Sequence, residues 1–144
     1  MKACFIFLLA FTLLSCTSTK YYIVRHAEKE TTNTMSSDVP LSEMGKQRAM
    51  ALKEALLHKK ITHIFSTNYT RTLATAQPLS AAIGIPIEQY NPADSTFVSK
   101  LKQTTHGNTL MVGHSNTVDN VVNALTGKTC CRTCRIRNME ICLL

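Results

Sequence analysis

Apolar positions along the chain alternate between two spacings. Tyr21 to Val24 is a short run of β-favouring residues, and "ITHIFS" (61–66), "IPIEQY" (85–90) and "NTLMVGH" (108–114) have the same form. Helical spacing fills the intervals. "LSEMGKQRAMALKEALLHKK" offers Ser42 as an N-cap and sets Met44, Leu52, Ala55 and Leu56 on one face. "TRTLATAQPLSAAIG" predicts a helix bent or restarted near Pro78 and ended by Gly84. "DSTFVSKLKQT" predicts a short helix with Asp94 as its cap, and "SNTVDNVVNALTG" one closed by Gly127. Strands alternating with helices imply βαβ units. The expected fold is therefore α/β, a three-layer α/β/α sandwich around a mainly parallel sheet.

One apolar run breaks this rhythm. "MKACFIFLLAFTLLSC" begins with Lys2, runs apolar from Ala3 to Leu14, and stops at Ser15-Cys16. It is shorter than the about 20 residues of a comfortable membrane span and fits a signal-peptide core. Its ending, "LLSC", resembles the lipobox of bacterial lipoproteins. That resemblance implies removal of residues 1–15, lipidation of Cys16, and a short tether over 16–20. The expected location is the bacterial cell envelope, with export and a lipid anchor through Cys16 to the membrane; each buried methylene of the anchor adds roughly 0.8 kcal/mol.

The remaining chain suits one domain over 21–127, large enough for a real core. A formal net charge of +7 raises the question of nucleic acid. Lys59-Lys60 is the only basic pair, and no aromatic residues interleave with a basic stripe, so a nucleic-acid partner is not expected. A mildly basic face suits anionic small molecules or headgroups instead. The polar loop from Glu28 to Pro40 is long enough to lie over a site.

Ligands in open parallel sheets bind at the carboxyl ends of the strands. The first strand ends in Arg25-His26. "ITHIFS" leads through "TNYT" to Arg71 at the start of a helix. "TLMVGH" ends at His114, directly before another helix. Two His and two Arg thus converge from distant segments. Guanidinium groups bind phosphate oxygens bidentately, and a helix N-terminus adds amide donors. One imidazole can attack phosphorus while the other groups stabilise charge on the transferred oxygens. Ser66 and Asn68 are candidates to line the pocket, though both are common turn residues. His58, His63 and His106 are expected to be structural.

The blocks "VRHAEK", "LSEMGKQRA", "FSTNYTRTLATAQPL" and "MVGHSNT", in this order, resemble the histidine phosphatase superfamily, with its phosphoglycerate-mutase-like fold, and within it the short bacterial phosphatases. The resemblance implies that His26 is the phosphoryl acceptor and that Arg25, Arg71 and His114 form the phosphate pocket. It implies no metal and no organic cofactor. In larger relatives a Glu after the second Arg is the general acid; the matching stretch here offers Asp94, which is also a plausible helix cap, with Glu88 slightly earlier. Glu28 is a rival in the loop after His26, and Ser115 stands where the phytase-like branch has an acid. Some short relatives lack a dedicated acid and act on phosphohistidine. The implied activity is hydrolysis of a phosphomonoester or phosphohistidine, carried by a small molecule or a phosphoprotein, through phosphohistidine at His26. A catalytically inactive phospho-ligand-binding lipoprotein is the alternative, with a phosphoglycerate-mutase-type phosphotransferase less favoured for so short a chain.

After Lys128 the character changes. "TCCRTCRIRNMEICLL" carries Cys130, Cys131, Cys134 and Cys142 with three Arg, unlike anything upstream. A Cys-x-x-C without a second ligand pair is not expected to be a zinc site. The shift reads as an ending altered at codon level, outside the fold over 128–144. The competing reading is a genuine disulfide-bearing tail with "MEICLL" as the closing strand.

Overall fold

A computed structural model of the chain describes residues 19–31, 37–104, 107–127, 134–136 and 139–143. Four strands and four helices alternate through most of it. They are β1 (Tyr21–Arg25), α1 (Glu43–Leu56), β2 (Ile61–Ser66), α2 (Thr70–Ile83), β3 (Ile87–Gln89), α3 (Phe97–Thr104), β4 (Asn108–Gly113) and α4 (Ser115–Thr126). Two further strands follow, β5 (Cys134–Ile136) and β6 (Met139–Leu143).

The near-continuous apolar runs of β1 and β4 need cover on both faces, which a central place in a parallel sheet provides. β1 pairs with β4 from Tyr21–Thr109 to Arg25–Gly113, β4 with β2, and β2 with β3, all parallel. The sheet order is β3-β2-β4-β1-β6-β5. Successive side chains on a strand point to opposite faces. Tyr22 and Val24 therefore join Leu110, Val112 and Ile64 in a core with Leu52 and Leu56 of α1 and Ala76 and Leu79 of α2. Ile23 joins Met111 and Phe65 in a second core, with Leu101 of α3 and Val121 and Val122 of α4. Helices cover both faces, so the three-layer α/β/α expectation holds.

Three local expectations change. Ser42 does cap α1, its hydroxyl oxygen accepting from the Gly45 N–H at 3.1 Å. The inward residues, however, are Gly45, Ala49, Leu52 and Leu56, while Met44 and Ala55 are exposed. Ser42 is tied through its N–H and hydroxyl to the Glu28 carbonyl, which turns the first turn toward the loop after β1. Any side chain at Gly45 would collide with that carbonyl.

Secondly, α2 runs unbroken through Pro78 instead of restarting there. The ring removes one helical hydrogen bond, while Thr75, Ala76 and Leu79 are buried on either side and hold both turns to the body.

Thirdly, β6 lies antiparallel to β1, with Tyr22 opposite Leu143 and Val24 opposite Ile141, and β5 pairs with β6. Met139–Leu143 is thus arranged as the closing strand of the competing reading rather than as an ending outside the sheet. Without this neighbour an apolar strand would present an open edge.

Cys16, the run before it, and His106 lie outside the described residues. Among the described residues no helix is long and apolar enough to cross a membrane.

Candidate functional site

β1 and β4 run in register, so Arg25-His26 and Gly113-His114 leave the sheet side by side. The His26 N–H donates to the Gly113 carbonyl at 2.9 Å, extending the ladder one residue past β1. The two imidazoles meet edge-on, with ring centroids 5.2 Å apart. Gly113 is required at this junction, because a Cβ there would lie 2.8 Å from the Tyr90 hydroxyl. His114 is the N-cap residue of α4, and its N–H donates to the Thr117 hydroxyl at 2.7 Å.

Arg71 arrives from the first turn of α2. A guanidinium only donates, so Nη2 donates to His114 Nδ1 at 3.3 Å and Nη1 to the Ser37 carbonyl at 3.0 Å. Asp38 Oδ1 lies 3.8 Å from Nη1, and the guanidinium carbon sits 4.8 Å from the Tyr69 ring centre. Asp38 also accepts from the Thr70 N–H (2.9 Å) and hydroxyl (2.7 Å), so it caps α2 from another segment. Arg71 Nε is buried and has no hydrogen-bond partner among the described residues.

The hydrogen-bond partners assign both tautomers. A carbonyl only accepts, so His26 Nδ1, 2.7 Å from the Ala27 oxygen, carries the proton and Nε2 keeps a free lone pair. Burial lowers the His26 pKa; the Ala27 bond opposes this, and the charges of Arg71, Arg25 and Lys29 reinforce it. His114 differs. With Nδ1 accepting from Arg71, Nε2 carries the proton and donates to Thr67 Oγ1 at 3.3 Å. Thr67 in turn donates to Thr72 Oγ1 at 3.1 Å, and Thr72 to the Thr67 carbonyl at 2.8 Å. Burial, followed by the charges of Arg71, His26 and Arg25, pushes the His114 pKa down to about 4. Both shifts favour the neutral ring.

Thr67, Thr72 and Asp38 were not singled out from the sequence. "STNYTRT" reads as ordinary turn chemistry, and Asp38 sits in a loop far from Arg71 in the chain. A run of hydroxyls just before a site Arg was the only available signal.

The structure brings His26, Arg71 and His114 together, with Arg25 exposed at the end of β1. The carboxylates are engaged elsewhere. Asp94 accepts from the Thr96 N–H (2.9 Å) and hydroxyl (2.6 Å) and lies 3.4 Å from Lys100 Nζ. The Thr96 bonds hold its pKa below the ordinary value, so it stays ionised and caps the turn before α3. Its position matches the cap reading and is a poor one for a proton donor. Glu28 pairs with Arg48 of α1, and Glu88 faces His63 Nδ1 at 3.6 Å on β3. Beyond that pairing, the His63 ring stacks on Phe65, consistent with a structural residue.

Thr67, Asn68, Tyr69, Gln89, Tyr90, Asn91 and Pro92 line a cavity of about 470 Å³. Thr67 bonds His114, and the Tyr69 ring meets it edge-on at 4.8 Å, so two of the lining residues also touch His114. Asn68 lines this cleft. Ser66 does not: it is fully buried, with its hydroxyl on the Thr67 carbonyl. Among the described residues no three His, Cys, Asp or Glu side chains form a metal-binding group. The side chains of the tail cysteines lie outside the description.

Residues 21–91 match the family model of the histidine phosphatase superfamily (branch 1). Over this stretch, just under half of its length, the chain is similar to the histidine phosphatase superfamily. Among its relatives is GpmB of Salmonella choleraesuis, a probable phosphoglycerate mutase, 34% identical over 90 residues. That match covers 60% of this chain and 38% of the relative, so the chain spans well under half the length of the curated relatives it matches. Solved histidine phosphatase structures share the fold. SixA of Agrobacterium tumefaciens, a candidate phosphohistidine phosphatase, aligns with a TM-score of 0.63 at 22% identity, covering 75% of this chain and 77% of that one. A mycobacterial glucosyl-3-phosphoglycerate phosphatase aligns at 0.64 and 15% identity, covering 76% and 80%.

Proposed function

We propose that the protein is a phosphatase in which His26 Nε2 takes the phosphoryl group of a phosphomonoester and passes it to water. The observation that carries this reading is the locked His26 ring: Nδ1–H is committed to the Ala27 carbonyl at 2.7 Å, and Nε2 is left with its lone pair. In the first step Nε2 attacks phosphorus, the P–O bond to the leaving group breaks, and the leaving oxygen takes a proton from solvent in the open cleft. In the second step water attacks phosphorus, the P–N bond breaks, and neutral His26 returns as inorganic phosphate and a proton leave. Arg25 and Arg71 hold the phosphoryl oxygens, with His114 forming the same pocket and bracing Arg71. A phosphohistidine donor suits the same site, because a nitrogen leaving group needs less proton assistance than an alkoxide.

Phenyl phosphate hydrolysis tests the reading. The wild type should turn over and carry an acid-labile, base-stable phosphoryl label, and His26→Ala should do neither. Label that persists in His26→Ala would remove His26 from the reaction. Binding of phosphate with no turnover in the wild type would favour the inactive phospho-ligand-binding alternative.

We also propose, on the "LLSC" ending alone, that Cys16 is lipidated and holds the domain at a membrane. Cys16→Ser should release the protein into the soluble fraction, and intact mass should show an acylated chain starting at Cys16. A mature N-terminus at another residue would count against it.

A further inference from the structure

We propose that the cleft beside the imidazole pair receives a neutral, polyhydroxylated leaving group, so that the substrate is a phosphorylated sugar or polyol rather than a phosphorylated acid. The proposal rests on the phosphatase reading for its chemistry and on the cleft for its selectivity. Thr67 and Tyr69 each both line the cavity and touch His114. A group attached to a phosphoryl at the imidazoles therefore has this cleft as its immediate neighbour.

Charge divides the site in two. The cations that act on the imidazoles are Arg25, Arg71 and Lys29, and among the described residues none that lines the cleft carries a charge. A carboxylate or second phosphate seated in the cleft would lose water without meeting a counter-charge. The lining instead offers the carboxamides of Asn68, Gln89 and Asn91. A carboxamide donates and accepts, and so does a sugar hydroxyl, so the two match without any net charge. Asn91 Oδ1 already accepts from the Ala93 N–H at 2.9 Å, which leaves its amide protons for a ligand. At 470 Å³ the cavity is in the range of about 300–1,000 Å³ usual for small-molecule clefts.

The cleft has a rigid wall. Tyr90 is buried, stacks on Phe97 with centroids 4.6 Å apart, and ties its N–H to the Ser66 carbonyl at 3.0 Å. Specific hydroxyl recognition needs such fixed partners.

Calorimetric titration of the full-length His26→Ala protein tests selectivity without turnover, using a hexose phosphate, a phosphoglycerate and inorganic phosphate as probes. The hexose phosphate should bind about tenfold more tightly than either of the others, as one or two extra neutral hydrogen bonds would give. Gln89→Lys, which places a cation in the lining, should shift the preference toward phosphoglycerate. Phosphoglycerate binding as tightly as the hexose phosphate, or a hexose phosphate binding no better than inorganic phosphate, would overturn the proposal. Wild-type turnover is a separate readout: a hexose phosphate bound with the expected preference but never hydrolysed supports the cleft and defeats the phosphatase reading.

Discussion

β1 and β4 are neighbouring parallel strands, and each ends by presenting a histidine to the same edge of the sheet. Their surroundings make the two rings chemically different. His26 has one ring nitrogen committed to the Ala27 carbonyl and the other free. His114 has both engaged, one by Arg71 and the other by Thr67. A free lone pair beside cations suits a nucleophile, while a ring braced on both sides suits a fixed support that holds Arg71 in place as charge develops. Two identical side chains at equivalent strand ends are thus fitted to different work by the partners of their second nitrogens.

The largest expected effect separates the two rings completely. His26→Ala should abolish both turnover and phosphoryl label, whereas His114→Ala should keep the label and lose about 10²–10³-fold in kcat. Rapid-quench labelling of both variants checks this, and equal label loss in the two would erase the distinction.

Thr67→Val should be milder. It removes the acceptor of His114 Nε2 and leaves a partly buried donor unpaired, so kcat should fall roughly tenfold. A KM nearly equal to wild type would indicate that Thr67 positions His114 rather than meeting the substrate.

Smaller again is Asp38. Asp38→Asn keeps an acceptor for Thr70 but loses the charge facing Arg71, and should cost only a few-fold in kcat/KM, as exposed ion pairs contribute about 0.2–1 kcal/mol. Asp38→Ala loses the cap as well and should lower the melting temperature beyond Asp38→Asn, a cap being worth about 0.5–2 kcal/mol.

The subtlest test is titration by nuclear magnetic resonance. His114 should titrate near pH 4 and His26 below the ordinary 6.5, and Arg71→Gln should raise both by removing a neighbouring positive charge. Both rings accept protons less readily folded than unfolded. The stability they contribute is complete above pH 6.5 and is lost as the pH falls from there toward 4, because the unfolded chain binds more protons in that window. The loss of stability between pH 6.5 and 4 should accordingly be smaller in His114→Ala than in the wild type.

Much of this arrangement is legible along the chain. The alternating spacings predict eight elements in the observed order, and the strand-end rule brings Arg25, His26, Arg71 and His114 to one edge. Legibility ends where a residue's partner lies far away. Met44 has helical spacing but faces solvent, because the Glu28 carbonyl fixes which side of α1 turns inward. Pro78 signals a break that the packing of its neighbours overrides. The composition of the tail suggests an ending outside the sheet, yet β6 takes the place beside β1.

The sequence by itself determined the periodicities, and through them the layers, the central place of β1 and β4, and the presence of two histidines at adjacent strand ends. Those properties depend on local spacing and on the burial of apolar runs, which act along the chain. Tertiary structure alone decided which nitrogen of each ring carries the proton, which carboxylates are already engaged, and that a cleft whose described lining carries no charge lies beside His114's partners Thr67 and Tyr69. These depend on hydrogen bonds and charges between segments dozens of residues apart, such as Thr67 with His114 and Asp38 with Thr70. Such contacts leave no periodic trace, because they arise only when the sheet has set its strand ends side by side.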